Sequence, residues 1–401
     1  MSCNKINDIL KNDLCIGCGI CTNFSKKSQM NISNDGFLIV NNYSHDSEEV
    51  SEEELVQNIC PGKKSFTNNN TGDVIWGIVK SINLGYSNNS DIRFKGSSGG
   101  TITETLIFLL ENKIIDYVIH IESDSVDPLA NSIVITDDKN KILNNAGSKY
   151  CPSSPLENVI SSLNKNKRYA FVGRPCDIVA LSNYEKINRD ITKMILYKIA
   201  FFCAGVPSIK GTYEIISKFG IEVSNLRSFR YRGNGWPGYT TAVDKDGNTF
   251  DMPYNDSWGK ILNKHLSKRC KLCPDGIGME ADIVFGDGWD CDEKGYPIFE
   301  EGDGNSLIIT RTEKGEELLK KLTENNRLII KDFNINNLRL VQPYQFHRRA
   351  NLKWRLNAMK LFNKEMPIYE KSIEFASHSA SSKSKIKTFL GTLKRILNKR
   401  I

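Results

Sequence analysis

Three cysteines, each separated from the next by two residues in Cys15-Ile16-Gly17-Cys18-Gly19-Ile20-Cys21, constrain this chain more than any other feature. Thiolates at that spacing, with small glycines between them, let a tight loop wrap one corner of a cubane and offer its amides to the sulfides. Zinc more often takes two separated pairs of ligands, so the run points to a four-iron (4Fe-4S) cluster rather than to zinc. In a two-cluster bacterial ferredoxin, the fourth cysteine of each run, the one followed by proline, ligates the other cluster. Here Asn23-Phe24-Ser25 follows the first run where its fourth cysteine belongs, while Cys60-Pro61 survives alone from what would be the second run. The pattern is that of a two-cluster ferredoxin that has lost one cluster and kept every ligand of the other: Cys15, Cys18, Cys21 and Cys60. The alternative is that Cys60 is an ordinary buried thiol and a remote cysteine completes the site.

The chain has 401 residues, enough for two or three domains with real cores. Its 11 cysteines are an odd number, and no apolar signal segment follows Met1, so they read as reduced thiols of a cytoplasmic protein. No run approaches the ~20 apolar residues that cross a bilayer. The net charge of +7 is unevenly spread: residues 346–401 hold fourteen Lys and Arg against three Glu. Basicity confined to one end does not suit a nucleic-acid binder.

Composition and periodicity divide the chain into four regions. Residues 1–72 form a small ferredoxin-like iron–sulfur domain ending in a polar linker, Gly62–Gly72, that contains Asn68-Asn69-Asn70. Residues 73–160 are mixed α/β sequence, with a Gly/Ser loop at Gly96–Gly100, an apolar helix to Leu110 and a strand at Asp116–Ile119. Residues 161–345 continue that core, with buried strands at Arg168–Val172 and Ile195–Phe202 and a helix–strand unit over Gly315–Ile330. Residues 346–401 are a basic helical tail. From Lys383 its apolar residues recur every three or four positions, an amphipathic helix either packed on its own domain or lying on an anionic membrane. The Ser-rich stretch Ser377–Ser384 reads as a linker to it.

Six short stretches carry a family resemblance: Gly96-Ser-Ser-Gly-Gly100, Ala146-Gly-Ser-Lys-Tyr150, Gly173-Arg-Pro-Cys-Asp177, Phe202-Cys-Ala-Gly205, Cys270-Lys-Leu-Cys273 and Ala281-Asp-Ile-Val-Phe-Gly-Asp-Gly288. In this order, the chain resembles the family of beta subunits of coenzyme F420 hydrogenases and dehydrogenases. The resemblance implies FAD and a four-iron cluster in the core, often with a ferredoxin-like extension. It also implies electron traffic between a reduced deazaflavin, ferredoxin or another substrate.

Cys270 and Cys273 alone would fit half a zinc ribbon, a redox dithiol or coincidence. Cys176 and Cys203 follow buried strands, where neighbouring strand ends bring side chains together, and the four thiols complete a second cluster site in agreement with the family pattern. Buried structural thiols are the alternative, and Cys3, Cys151 and Cys291 receive no role. For the flavin, Gly96, Ser97, Ser98, Gly99, Gly100 and Thr101 open a helix whose N-terminal amides suit a pyrophosphate, although blind reading gives only a capped turn. Ser148, Lys149 and Arg174 are further cofactor candidates, and Lys149 and Asp287 are candidate catalytic groups, each with a bland alternative as a solvated or turn residue. No Ser/His/Asp or Cys/His arrangement is present, so catalysis would rest on cofactor placement.

The leading expectation is a flavin-dependent iron–sulfur oxidoreductase that passes electrons from ferredoxin, or a similar redox partner, to a small organic acceptor. An F420-oxidising dehydrogenase subunit, a non-catalytic electron-transfer subunit and a zinc-stabilised binding protein are the competing readings.

Overall fold

The computed structural model describes residues 5–65, 72–292 and 297–398. Asn68-Asn69-Asn70 of the expected linker, and Cys3, lie outside them. An eight-stranded mixed sheet organises the chain. Its strands are β1 (Ser81–Ser87), β2 (Tyr117–Ser123), β3 (Asn131–Thr136), β4 (Tyr169–Gly173), β5 (Ile195–Phe201), β6 (Ile283–Asp287), β7 (Ser306–Thr310) and β8 (Leu328–Asp332). They lie in the order β8-β1-β7-β6-β5-β4-β2-β3. The central strands β6, β5, β4 and β2 run parallel, and antiparallel strands flank them on both sides.

The parallel strands are near-continuous apolar runs because both faces of the sheet are covered. Phe171, Ala200 and Val284 face one cluster, with Ile178, Leu181 and Tyr184 of helix α2 (Pro175–Ile187). Ala170, Ile199, Ile283 and Phe285 face the other, with Leu106 and Leu109 of helix α1 (Thr101–Glu111) and Leu318 and Leu322 of helix α3 (Glu313–Glu324). The first cluster also takes in Ile6, Leu14, Leu55 and Ile59, so the N-terminal cysteine-bearing segment is packed on the core.

The described part of the first expected linker, and the second expected linker, are structured. Lys64–Ser65 is a short strand paired in parallel with Ile368–Tyr369. Ser377 is 2% exposed in a 3-10 turn, and its hydroxyl donates to the Glu374 carbonyl at 2.6 Å. Beyond it, helix α5 (Ser382–Leu397) packs on helix α4 (Leu352–Lys360), with Ile396 against Met359 and Leu272. Ser384 donates to the Asn351 side chain at 3.0 Å, which pins the helix start. Composition reads serine as polar and flexible, whereas here the hydroxyls are used in local hydrogen bonds. The basic helix is therefore docked on its own chain, while Ile386, Leu390 and Leu397 remain exposed. Among the described residues, no helix is long and apolar enough to cross a membrane.

Candidate functional site

The N-terminal loop turns on Gly17 and Gly19, whose φ values of 68° and 80° are left-handed. A Cβ on Gly19 would stand 2.7 Å from the Glu157 amide nitrogen, so the loop is pressed against the core. Leu156 donates its amide to the Cys18 carbonyl at 2.9 Å, and Asn158 donates to the Thr22 hydroxyl at 3.0 Å. Cys60 ends a single π-helical turn, Leu55–Ile59, and its thiol joins those of Cys15, Cys18 and Cys21 on the wall of one small apolar cavity. The Gly17 amide faces the Cys15 sulfur at 3.4 Å. Burial pushes the Cys15 thiol up to about 11 and raises Cys18, Cys21 and Cys60. Such a group ionises when a cation compensates it, as metal coordination does.

The second set forms at the C-terminal ends of the parallel strands. Cys176 sits in the first turn of α2, after β4; Cys203 follows β5; Cys270 and Cys273 come from the short helix Lys268–Lys271 and the turn after it. Cys203 lies within electrostatic reach of Cys176, Cys270 and Cys273, and Cys176 within reach of Cys273 as well. Burial pushes the Cys203 thiol up to about 12 and raises Cys176 as well. The Val206 amide donates to the Cys270 sulfur at 3.3 Å. Arg269 and Arg348, both 2% exposed, face these thiols, and the Nε of each lacks a hydrogen-bond partner. Unpartnered buried N–H groups of two cations beside four thiols fit an anionic cluster. Among the described residues, no three His, Cys, Asp or Glu side chains are placed to hold a single metal ion. Each thiolate of a four-iron cluster binds a different iron, which requires a wider cage than one ion does. Every described cysteine is a free thiol.

A cavity of about 780 Å³ opens at the same strand ends, within the usual range for cofactor sites. Gly96, Ser97, Ser98, Gly100 and Thr101 line it, as do Ser148, Lys149, Arg174 and Asp287. Gly99 does not; it lies behind the loop, donating its amide to the Ser306 hydroxyl at 2.9 Å. Gly100 caps α1 with a φ of 71° and no side-chain cap, so the first amides of an 11-residue helix are left for a ligand. The Ser97 and Ser148 hydroxyls share a hydrogen bond of 2.7 Å, which joins this loop to the one bearing Lys149. Burial, with Arg230 nearby, pushes the Lys149 ammonium down to about 8, and its Nζ donates to Ser123 at 3.1 Å. His120 is 8% exposed on the same wall, and its Nε2 has no partner.

Two candidates are engaged in ways that spacing did not reveal. Arg174 is not solvated: its guanidinium forks onto Asp177, with Nε and Nη2 each 2.7 Å from a carboxylate oxygen. Asp287 is the last residue of β6 rather than a turn residue, and it accepts bonds from Arg232 Nη1 at 2.9 Å and Nη2 at 2.8 Å. A third bond comes from the Trp236 indole at 3.1 Å. Arg232 is 2% exposed and lies 4.5 Å from the Tyr254 ring centroid and 5.3 Å from that of Trp289. Sequence reasoning missed this wall of Arg232, Tyr254 and Trp289; the glycine-rich Arg230-Tyr-Arg-Gly-Asn-Gly-Trp-Pro-Gly238, with its two arginines, was the available signal. Cys203 lies on the cavity wall and in the second thiol set at once.

Comparison with known proteins gives two family matches. The family described as the N-terminus of the coenzyme F420 hydrogenase/dehydrogenase beta subunit matches residues 82–161, and its C-terminus counterpart matches residues 166–335. The two together cover more than half of the chain. A coenzyme F420-dependent sulfite reductase of Methanocaldococcus jannaschii is 28% identical over 58% of this chain, which spans only 35% of that protein. Coenzyme F420 hydrogenase subunit beta of Methanococcus voltae is 27% identical over 58% of this chain and 78% of its own length. A subunit of the F(420)H(2) dehydrogenase of Methanosarcina mazei is 25% identical over 80% of this chain and 92% of its own. In fold, a chain of the F420-reducing [NiFe] hydrogenase complex from Methanosarcina barkeri superposes with a TM-score of 0.56. It is 19% identical, and the match covers 74% of this chain and 98% of that one.

Proposed function

Because the chain belongs to the family of coenzyme F420 hydrogenase/dehydrogenase beta subunits, an oxidoreductase family, we propose that it is a flavin-dependent iron–sulfur subunit that moves electrons between a small organic molecule and a redox protein. The cavity would hold FAD. The Gly96–Thr101 loop and the positive end of α1 would take its pyrophosphate, with Lys149 on the neighbouring loop. Cys176, Cys203, Cys270 and Cys273 would hold one four-iron cluster, and Cys15, Cys18, Cys21 and Cys60 a second. Bound flavin can accept a hydride as two electrons and release them singly, which couples two-electron substrate chemistry to one-electron centres.

One observation carries this reading: Cys203 borders the cavity and the second thiol set together, so no intervening layer of protein separates a cavity ligand from that set. The protein's own part is placement. The paired Arg232 and Asp287 hold one wall, Tyr254 and Trp289 cover it, and the strand ends fix the loops around the opening.

The test is anaerobic purification followed by a visible spectrum and measurement of iron, sulfide and flavin. Bound flavin with two four-iron clusters is expected; colourless protein carrying zinc would overturn the proposal. The names of the relatives favour a second reading, oxidation of reduced F420. Dye reduction with reduced F420, compared with reduced ferredoxin, separates this from the ferredoxin-driven form.

A further inference from the structure

Three buried arginines are each answered by a carboxylate: Arg174 by Asp177 at 2.7 Å, Arg232 by Asp287 at 2.8 Å and Arg349 by Glu370 at 3.2 Å. Arg269 is not. It is 2% exposed, and among the described residues no carboxylate forms an ion pair with it. Its Nη2 donates to the Pro61 carbonyl at 2.8 Å, its Nη1 to the Leu272 carbonyl at 3.4 Å, and its Nε has no partner. A guanidinium taken out of water without a counter-charge is costly, so the anion that answers it must be sought nearby.

The two carbonyls define where the cation sits. Pro61 follows Cys60 of the first thiol set, and Leu272 precedes Cys273 of the second. Cys273, Cys176 and Cys270 lie within electrostatic reach of the guanidinium, and so does Cys60. Arg348 differs in being one-sided. It donates to the Ala204 carbonyl beside Cys203 and acts on Cys203 and Cys273 of the second set.

Arg174 also reaches both sets, but Asp177 answers its charge. We propose that Arg269 is the unneutralised shared counter-cation of the two thiol sets, raising the reduction potentials of both clusters together and keeping them close enough for one electron to pass between them. This rests on the two-cluster reading above. Passage of one electron oxidises the donor set by one unit and reduces the acceptor set by one, with no proton and no further reactant. A fixed positive charge favours the more negative, reduced state of each set, and a charge lying between them favours both.

The test is an EPR-monitored redox titration of the full chain, purified anaerobically, in four forms: the unaltered protein, Arg269→Met, Arg269→Lys and Arg348→Met. Arg269→Met is expected to lower both midpoint potentials, each by at least a tenfold change in the reduced-to-oxidised ratio at fixed ambient potential, which is about 59 mV for one electron. Arg348→Met should lower one potential only. Arg269→Lys should leave both within a twofold change in that ratio, because the charge stays while the fork onto Pro61 and Leu272 is lost. A purely structural arginine would fail that rescue.

An unaltered protein without two cluster signals would sink the two-cluster reading itself. Two signals, with Arg269→Met moving one or neither, would sink only the role given to Arg269. Should Arg269→Met retain no iron, Arg269→Gln, which removes the charge and keeps a donor for the Pro61 carbonyl, carries the test: a fall in both potentials supports the shared cation, and a fall in one or neither overturns it.

Discussion

Replacing Asp287 with asparagine keeps the shape of the side chain and removes its charge, leaving Arg232 buried with no anion opposite it. The carboxylate accepts at 2.9 and 2.8 Å from Arg232 and at 3.1 Å from Trp236, and the arginine side chain is 2% exposed against 20% for the aspartate. Breaking a fully buried pair costs roughly 3–5 kcal/mol, and the partial exposure of Asp287 puts Asp287→Asn near the lower bound, about 3 kcal/mol. Arg232→Met leaves the charge on the more exposed partner, which can rehydrate, so about 1–2 kcal/mol is expected. The double variant has no stranded charge and should be more stable than the sum of the singles by about 2 kcal/mol. Denaturant unfolding followed by near-ultraviolet circular dichroism provides the assay. Trp236 and Trp289, stacked at 4.7 Å, report directly on this wall. Single-variant costs that add to within about 0.5 kcal/mol would show that the pair is not coupled.

Gly99→Ala should cost about 2 kcal/mol and weaken flavin retention, because its Cβ would stand 2.6 Å from the Gly85 carbonyl oxygen; gel-filtered protein would be scored for bound flavin. Lys149 titrates near 8 in the fold, below its usual value near 10.5, so it is charged below pH 8 and loses that charge as pH rises through 8. Retention of an anionic ligand in the cavity should therefore decline above pH 8 and become insensitive to pH in Lys149→Met, as equilibrium dialysis with FAD would measure. The same shift makes stability rise between pH 8 and 10.5, where the unfolded chain binds the extra proton. Cys60→Ser and Cys203→Ser should each remove one cluster signal and leave the other. Loss of both signals from Cys60→Ser would mean that the two sets do not assemble independently.

Much of the sheet was legible because its strands are buried on both faces. Tyr169–Gly173 and Ile195–Phe201 read as apolar runs for the same reason that they lie in the middle of the sheet. The first group of four thiols was open to expectation for a different reason. Thiolates at fixed spacing, with one Cys-Pro remaining from a lost run, leave few ways to complete a count of four. Gathering of Cys60 with the Cys15–Cys21 loop was thus open to expectation, although it lies 39 positions beyond Cys21. Pairings between distant polar groups were not legible. Arg232 and Asp287 are 55 positions apart, and nothing local to either one names its partner. The serine-rich stretch misled in the opposite direction, because polarity is a property of the side chain and order is a property of what it meets: Ser377 and Ser384 both meet partners.

The parallel pairing of Lys64–Ser65 with Ile368–Tyr369 fastens the start of the chain to a segment some three hundred positions later. Tyr369 then donates its hydroxyl to Leu272 at 2.8 Å, so the same fastening reaches the Cys270–Cys273 turn. A carrier on a loose tether works by visiting its customers, and its throughput depends on tether length and on chance encounters. Bolted down in this way, the leading segment belongs to the packed body of the chain, and on the two-cluster reading proposed above any outside protein that trades electrons with it has to make the journey and fit the surface it finds.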